Sequence, residues 1–150
     1  MEKDIFFMSE ALRLAEEAYE KGDVPVGAVI VKNGEIISKA CNRREQDSSA
    51  IAHAEILAIE DACKKLGGWR LDDCVLYVTL EPCPMCSGAI INSRISKVVF
   101  GARDALAGCC GSVIDFNSYP FNHSFEFVSG VLEPECKNIL TRFFKSRRKS

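Results

Sequence analysis

Two short strings thirty residues apart hold the side chains best suited to chemistry: His53-Ala54-Glu55, and Pro82-Cys83-Pro84-Met85-Cys86. One imidazole and two thiolates form a three-ligand zinc set, and three protein ligands leave the fourth tetrahedral position to water. The pKa of such a water falls from ~15.7 toward ~7, which makes a nucleophile available at neutral pH. Glu55 is then the natural proton carrier for a hydrolytic step. Cys83 and Cys86 are three apart, so in a first helical turn both sulfurs point the same way. His53 and Glu55 are two apart; they diverge by roughly 200° in mid-helix and converge only at a helix N-terminus. Two helix starts aimed at one spot also bring two positive dipole ends, which favour thiolates and a bound anion.

Plainer readings exist for each string alone. A lone Cys-x-x-Cys serves structural zinc half-sites and redox pairs, and a lone histidine is usually packing. The two strings together leave one such alternative open, a closed structural site with a fourth ligand from Cys74, Cys109, Cys110 or His123. Cys41, Cys63 and Cys136 read as small core residues.

The elements around these strings follow from periodicity and turn residues. Ile5, Met8, Leu12, Ala15 and Tyr19 form a helical stripe over residues 5–21, with Gly22 as its stop. Residues 27–32 and 35–38 are β-branched runs joined by Asn33-Gly34, which predicts an antiparallel hairpin. Residues 52–65 read as a helix ending at Gly67-Gly68, and residues 74–80 as a buried strand. Pro82 and Pro84 suit the first turn of a helix that continues over 85–92, before a strand at 97–101. Strand, helix and strand with short links make a parallel βαβ unit. Residues 102–124 are loop-rich. A short strand at 125–129 precedes a last helix, where Cys136, Ile139, Leu140, Phe143 and Phe144 form the apolar stripe. The expectation is an α/β domain with a mixed sheet covered by helices.

Composition narrows the class. The 150 residues, 47% hydrophobic and 27% charged, predict a single domain over 1–150 with a core large enough to need no disulfides. Eight cysteines are too few for a secreted disulfide scaffold, and the start Met-Glu-Lys-Asp lacks a basic region followed by an apolar one. The longest strictly apolar run is five residues, 74–78, against the ~20 of a membrane helix. The expected compartment is the cytoplasm. Net charge is -2, but residues 137–150 carry Lys137, Arg142, Lys145, Arg147, Arg148 and Lys149 and no acid, leaving an acidic body of -8 with a +6 end. That end suits a polyanion such as RNA, and it equally complements a helix C-terminus.

The pairing of His-x-Glu with Pro-Cys-x-x-Cys is the signature of zinc nucleobase deaminases. Beyond it, the chain resembles the bacterial tRNA-specific adenosine deaminases of the TadA type, within the cytidine deaminase-like superfamily. The resemblance runs over nearly the whole chain, through residues 23–29 (Asp-Val-Pro-Val-Gly-Ala-Val), Cys41-Asn42-Arg43, 52–55, Trp69-Arg70-Leu71, 76–83, Ser93-Arg94-Ile95, 98–102, Phe121-Asn122-His123, Gly130-Val131-Leu132, and Phe143-Phe144 before Arg147-Arg148. It departs at Ala50-Ile51-Ala52, where the family often has Pro-Thr-Ala, and at Cys109-Cys110, where small residues are usual.

The resemblance implies a three-layer α/β/α cytidine deaminase-like fold with about five strands and a basic C-terminal helix over about 133–149. It implies one Zn2+ per subunit on His53, Cys83 and Cys86, with Glu55 as the proton shuttle. Asn42 would hydrogen-bond the purine and Val26 line its pocket. Arg70, Asp104 and Asn122 would contact flanking nucleotides, and Phe144 with the basic end would hold the anticodon stem-loop. The implied assembly is a homodimer, and the implied reaction is hydrolysis of wobble adenosine to inosine in tRNA. The alternatives are a free-base or nucleotide deaminase acting on guanine or cytosine, which has no use for a basic tail, and a noncatalytic zinc-stabilised RNA-binding module.

Overall fold

The computed structural model describes residues 2–148. The elements in chain order are α1 (Glu2–Glu20), β1 (Gly27–Lys32), β2 (Glu35–Cys41), α2 (Ala54–Leu66), β3 (Cys74–Leu80), α3 (Pro84–Ser93), β4 (Lys97–Ala102), β5 (Glu126–Val128) and α4 (Glu133–Arg148). The hairpin turns at Asn33 and Gly34, both at positive φ (52° and 78°), as a two-residue primed turn requires. The sheet order is β2-β1-β3-β4-β5, with β1 antiparallel to β2 and β3, and β3, β4 and β5 parallel. The mixed sheet matches the expectation.

Alternation along the strands divides the core in two. Ala28, Ile30, Leu76, Val78, Val98 and Phe100 face α2 and α3, where Ala54, Ala58, Ala62, Ile90 and Ile91 meet them. Val29, Val31, Tyr77 and Val99 face the other way, against Phe7, Met8 and Ala11 of α1 and Cys136 of α4. Both sheet faces are therefore covered, which is why β3 reads as one continuous apolar run. This gives the three layers α/β/α.

The buried face of α1 differs from the expected stripe. Phe7, Met8, Ala11, Ala15 and Ala18 point inward, while Ile5 is exposed. The cause is close approach: a Cβ at Gly27 of β1 would collide with the Ala11 carbonyl and the Ala15 amide, so at this crossing the helix presents alanines, with Phe7 and Met8 packing farther along. β2 also runs past Ser38 to Cys41, because Gly27 and Ala28 of β1 extend the ladder to Cys41 and Ala40.

The strand registers place one end of four strands together. Gly27 pairs with Cys41, Ala28 with Val78, and Leu80 with Ala102. α2 and α3 both begin at this edge of the sheet. No helix among the described residues is long and apolar enough to cross a membrane.

Candidate active site

His53 and Cys83 occupy equivalent positions, each the extended residue immediately before a helix. His53 has φ -76° and ψ 149° before α2, and Cys83 has φ -80° and ψ 177° before α3. Pro84 begins α3, where its fixed φ suits the first turn and its missing N–H costs nothing. Cys86 lies within that first turn and is buried. The ligand atoms of His53, Cys83 and Cys86 all lie within 4.8 Å of one another. His53 Nδ1 is 3.7 Å from Cys83 Sγ and 3.5 Å from Cys86 Sγ. Zinc bonds of ~2.3 Å to sulfur and ~2.0–2.1 Å to nitrogen, at tetrahedral angles, require an S···N separation of ~3.6 Å. The three side chains are thus set for zinc.

Among the described residues this group stops at three. Cys74 begins β3 at the other end of the sheet, and His123 Nε2 is 2.8 Å from the Ile95 carbonyl. Cys109 and Cys110 are buried free thiols, pushed up by burial to about 11 and about 12. None of the four suggested fourth ligands joins the cluster, so the geometry is that of an open catalytic site and not a closed structural one. Without metal, the Cys86 thiol and then His53 hydrogen-bond the Cys83 sulfur and hold it as thiolate, at about 4.

Glu55 sits in the first turn of α2, 4% exposed, and lines the same pocket as His53 and Cys83. Burial pushes its carboxyl up to about 7. A group at that value loads and unloads a proton near neutral pH. The pocket encloses about 600 Å³, within the ~300–1,000 Å³ range of small-molecule sites.

Of the other residues singled out in the sequence, Val26, Asn42, Asp104 and Phe144 line this pocket. Asn42 is buried; its N–H donates to the Val26 carbonyl at 3.1 Å, and its Oδ1 accepts from Ala54 N at 2.7 Å. Asp104 spends Oδ1 on the N–H groups of Leu106 and Ala107, at 3.0 and 3.2 Å. Phe144, 46% exposed, stacks edge-on against Phe143. Arg70 and Asn122 are not brought to the pocket of their own chain. Arg70 precedes the start of β3, paired with Asp72 at 2.9 Å and lying over Trp69. Asn122 is exposed beside His123, whose ring is tied to Ile95 just before β4. Arg70 lies at the opposite end of the strands because it precedes β3, whose far end leads to Cys83, and Asn122 lies at that same end because His123 beside it is held to Ile95 at the start of β4.

The basic end of α4 is partly engaged within the chain. Arg142 pairs with Glu16 at 3.0 Å and lies over Tyr19, while Arg147 donates to the Gly22 carbonyl and lies over Phe143. These contacts hold α4 beside the α1–β1 turn, next to the pocket mouth. Lys149 and the side chain of Arg148 lie outside the described residues.

Sequence reasoning missed Arg44, Arg103 and Glu81, which also line the pocket. Arg44 had a visible signal, since it follows Asn42 by two in the same polar loop. Glu81 adjoins Pro82-Cys83, but its role depends on contacts with residues more than twenty positions away.

Comparison with known proteins agrees with this geometry. Residues 1–102 match the cytidine and deoxycytidylate deaminase zinc-binding region. The chain is 55% identical to a tRNA-specific adenosine deaminase of Bacillus subtilis (strain 168), over 99% of this chain and 93% of that one. It is 50% identical to a tRNA-specific adenosine deaminase of Aquifex aeolicus (strain VF5), over 95% of each. A solved structure from a study of A-to-I editing by tRNA:A34 deaminases at the wobble position of transfer RNA superposes with a TM-score of 0.88 and 43% identity, covering 90% of this chain and 99% of that one. Matches of this identity and coverage place the chain in the family of tRNA-specific adenosine deaminases, enzymes built on the cytidine and deoxycytidylate deaminase zinc-binding region.

Proposed function

We propose that this protein, as one deaminase domain, hydrolyses adenosine to inosine at the wobble position of a tRNA, acting on the anticodon stem-loop in the cytoplasm. The observation that carries the reading is a buried carboxylate, Glu55, beside an open His53/Cys83/Cys86 set in a pocket of nucleoside size. His53, Cys83 and Cys86 would hold the zinc ion, which when bound would supply a water of lowered pKa. Glu55 would take the first proton of that water as its oxygen adds to the amino-bearing carbon and deliver it to the neighbouring ring nitrogen, where inosine keeps it; it would then carry the second proton, from the added hydroxyl, to the amino group, which leaves as ammonia as the C–N bond breaks. Its buried setting suits both halves of that cycle.

Asn42 has its oxygen committed to Ala54, so it offers the base only its NH2 group. That fits a ring-nitrogen acceptor of a purine. Val26 supplies apolar wall, and the pocket requires a base that has left its stack, which costs less in an open loop than in a duplex. Phe144 and the basic end of α4 flank the mouth, an aromatic-and-cationic combination suited to stacked bases and phosphates. Asp104 contacts a nucleotide beside the target. Arg70 and Asn122 reach the RNA from the second protomer of a homodimer, since their own chain holds them at the far edge of the sheet.

The test is incubation of zinc-loaded protein with an anticodon stem-loop carrying adenosine at the wobble position, with inosine read by mass spectrometry before and after zinc removal by a chelator. Zinc-dependent inosine is the expected result. Deamination of free guanine or cytosine with no inosine in the stem-loop would replace this reading with a small-substrate deaminase.

A further inference from the structure

Besides Glu55, one buried carboxylate, Glu81, lines the pocket, and another, Asp23, lies in the adjoining depression. Asp23 accepts from Glu45 N at 2.7 Å and from the Gln46 side chain at 2.7 Å, and so ties down the loop that carries Asn42 and Arg44. Glu81 does more for the opposite wall. It follows β3 and stands two residues before Cys83, and its side chain is fully buried. All four hydrogen bonds its carboxylate makes go to one segment. Oε1 accepts from Asp104 N at 3.0 Å and from the Ser112 hydroxyl, while Oε2 accepts from Cys110 N at 2.9 Å and Ser112 N at 3.1 Å. Arg103 Nη1 is 4.0 Å away. Gly108 lies so close over the carboxylate that a Cβ there would collide with it. The backbone adds two further ties, Glu81 N to the Ala102 carbonyl and Cys109 N to the Pro82 carbonyl, each 2.9 Å.

The segment from 103 to 115 contains no helix or named strand, so its amides find partners one by one in turns and side chains. The Glu81 carboxylate takes three of them, those of Asp104, Cys110 and Ser112, and gathers them around one anion. Residues 103–107 of the segment form a wall of the pocket.

We propose that Glu81 is a positioning residue for the reaction, its buried carboxylate holding the 103–107 wall at a set distance from the zinc ligand Cys83. The inference rests on the deaminase reading of this pocket. Glutamine is a poor replacement, because one of its two terminal groups is an NH2 that would face N–H donors and leave them unsatisfied.

The experiment compares zinc-loaded wild type, Glu81→Gln, Ser112→Ala and Ser112→Thr for zinc content, for kcat and KM on the wobble-adenosine stem-loop, and for hydrogen exchange resolved by segment. Ser112 does not itself line the pocket; Ser112→Ala removes one donor to Glu81 together with a 3.5 Å contact from Arg103 Nη1, and it answers the question even if Glu81→Gln fails to fold. Expected for Glu81→Gln is full zinc content, kcat/KM lower by about 10²-fold, and faster exchange confined to 103–112. Ser112→Ala shows a smaller loss of the same kind, and Ser112→Thr, which keeps the hydroxyl, restores it. Loss of zinc, exchange spread through α2 and α3, or kcat/KM within twofold of wild type in both Glu81→Gln and Ser112→Ala overturns the proposal. Exchange is read on the protein alone, so the tether stands or falls even if a different substrate proves to be the right one.

Discussion

Asn42 Oδ1 accepts the backbone N–H of Ala54 at 2.7 Å, so a residue twelve positions upstream caps the helix that begins beside His53. His53 itself makes no side-chain cap, because its ring is turned toward the two sulfurs. One side chain on the pocket wall thus has two roles in the proposed reading: its oxygen fixes α2 and its NH2 binds the base. The two jobs separate by substitution. Asn42→Ala leaves the Ala54 N–H buried without a partner and costs about 1–3 kcal/mol in urea denaturation. Asn42→Asp keeps an acceptor at a helix N-terminus and retains most of that stability. Both variants lose the NH2 donor, with kcat/KM lower by about tenfold or more. Wild-type activity in Asn42→Asp would show that the base does not need the amide.

Glu55 lies beside the ligand cluster without being a member of it. Glu55→Gln preserves the shape of the side chain but not its capacity to take up a proton. Zinc content measured by atomic emission stays at the wild-type value, while kcat falls by about 10²–10⁴-fold. Inosine formation at an undiminished rate would remove Glu55 from the mechanism.

A pH-dependent element lies on the opposite face of the sheet. Tyr77 donates its hydroxyl to Asp4 at 2.6 Å, joining β3 to α1. Burial first, and then the Asp4 carboxylate, hold the phenol well above its ordinary ~10. The folded chain keeps a proton that the unfolded chain gives up, so this stabilisation is complete below pH ~10 and is lost as pH rises toward the folded value. Denaturation curves between pH ~9 and ~11.5 should therefore fall more steeply for wild type than for Tyr77→Phe. Parallel curves would mean that Tyr77 ionises equally in both states.

Ending the chain after Phe144 removes Lys145, Arg147, Arg148 and Lys149 while leaving the pocket-lining ring in place. If the basic end meets phosphates, log K for a stem-loop becomes less salt-dependent, by a slope of ~0.7 for each phosphate that is no longer neutralised. Zinc content stays unchanged, since no ligand lies on α4. A slope identical to wild type would favour a substrate too small to reach the tail.

The zinc cluster was legible from residue order because its logic is local. His53 and Glu55 converge only at a helix start, Cys83 and Cys86 are three apart and so share a face, and Pro84 marks the start of that helix. The hairpin at Asn33-Gly34 and the continuous run of β3 were readable for the same reason, since turn chemistry and period act over a few residues. Tertiary structure alone decided which face of α1 is buried, that Asn42 caps α2, and that Glu81 gathers a segment 23 to 31 residues downstream. It also placed Arg70 and Asn122 at the far edge of the sheet and turned Arg142 and Arg147 into clips between α4 and the α1 region. These relationships depend on sheet order and on how closely helices approach strands. Spacing along a chain carries a periodicity to its own neighbours, but it does not state which distant backbone amide a buried carboxylate will meet.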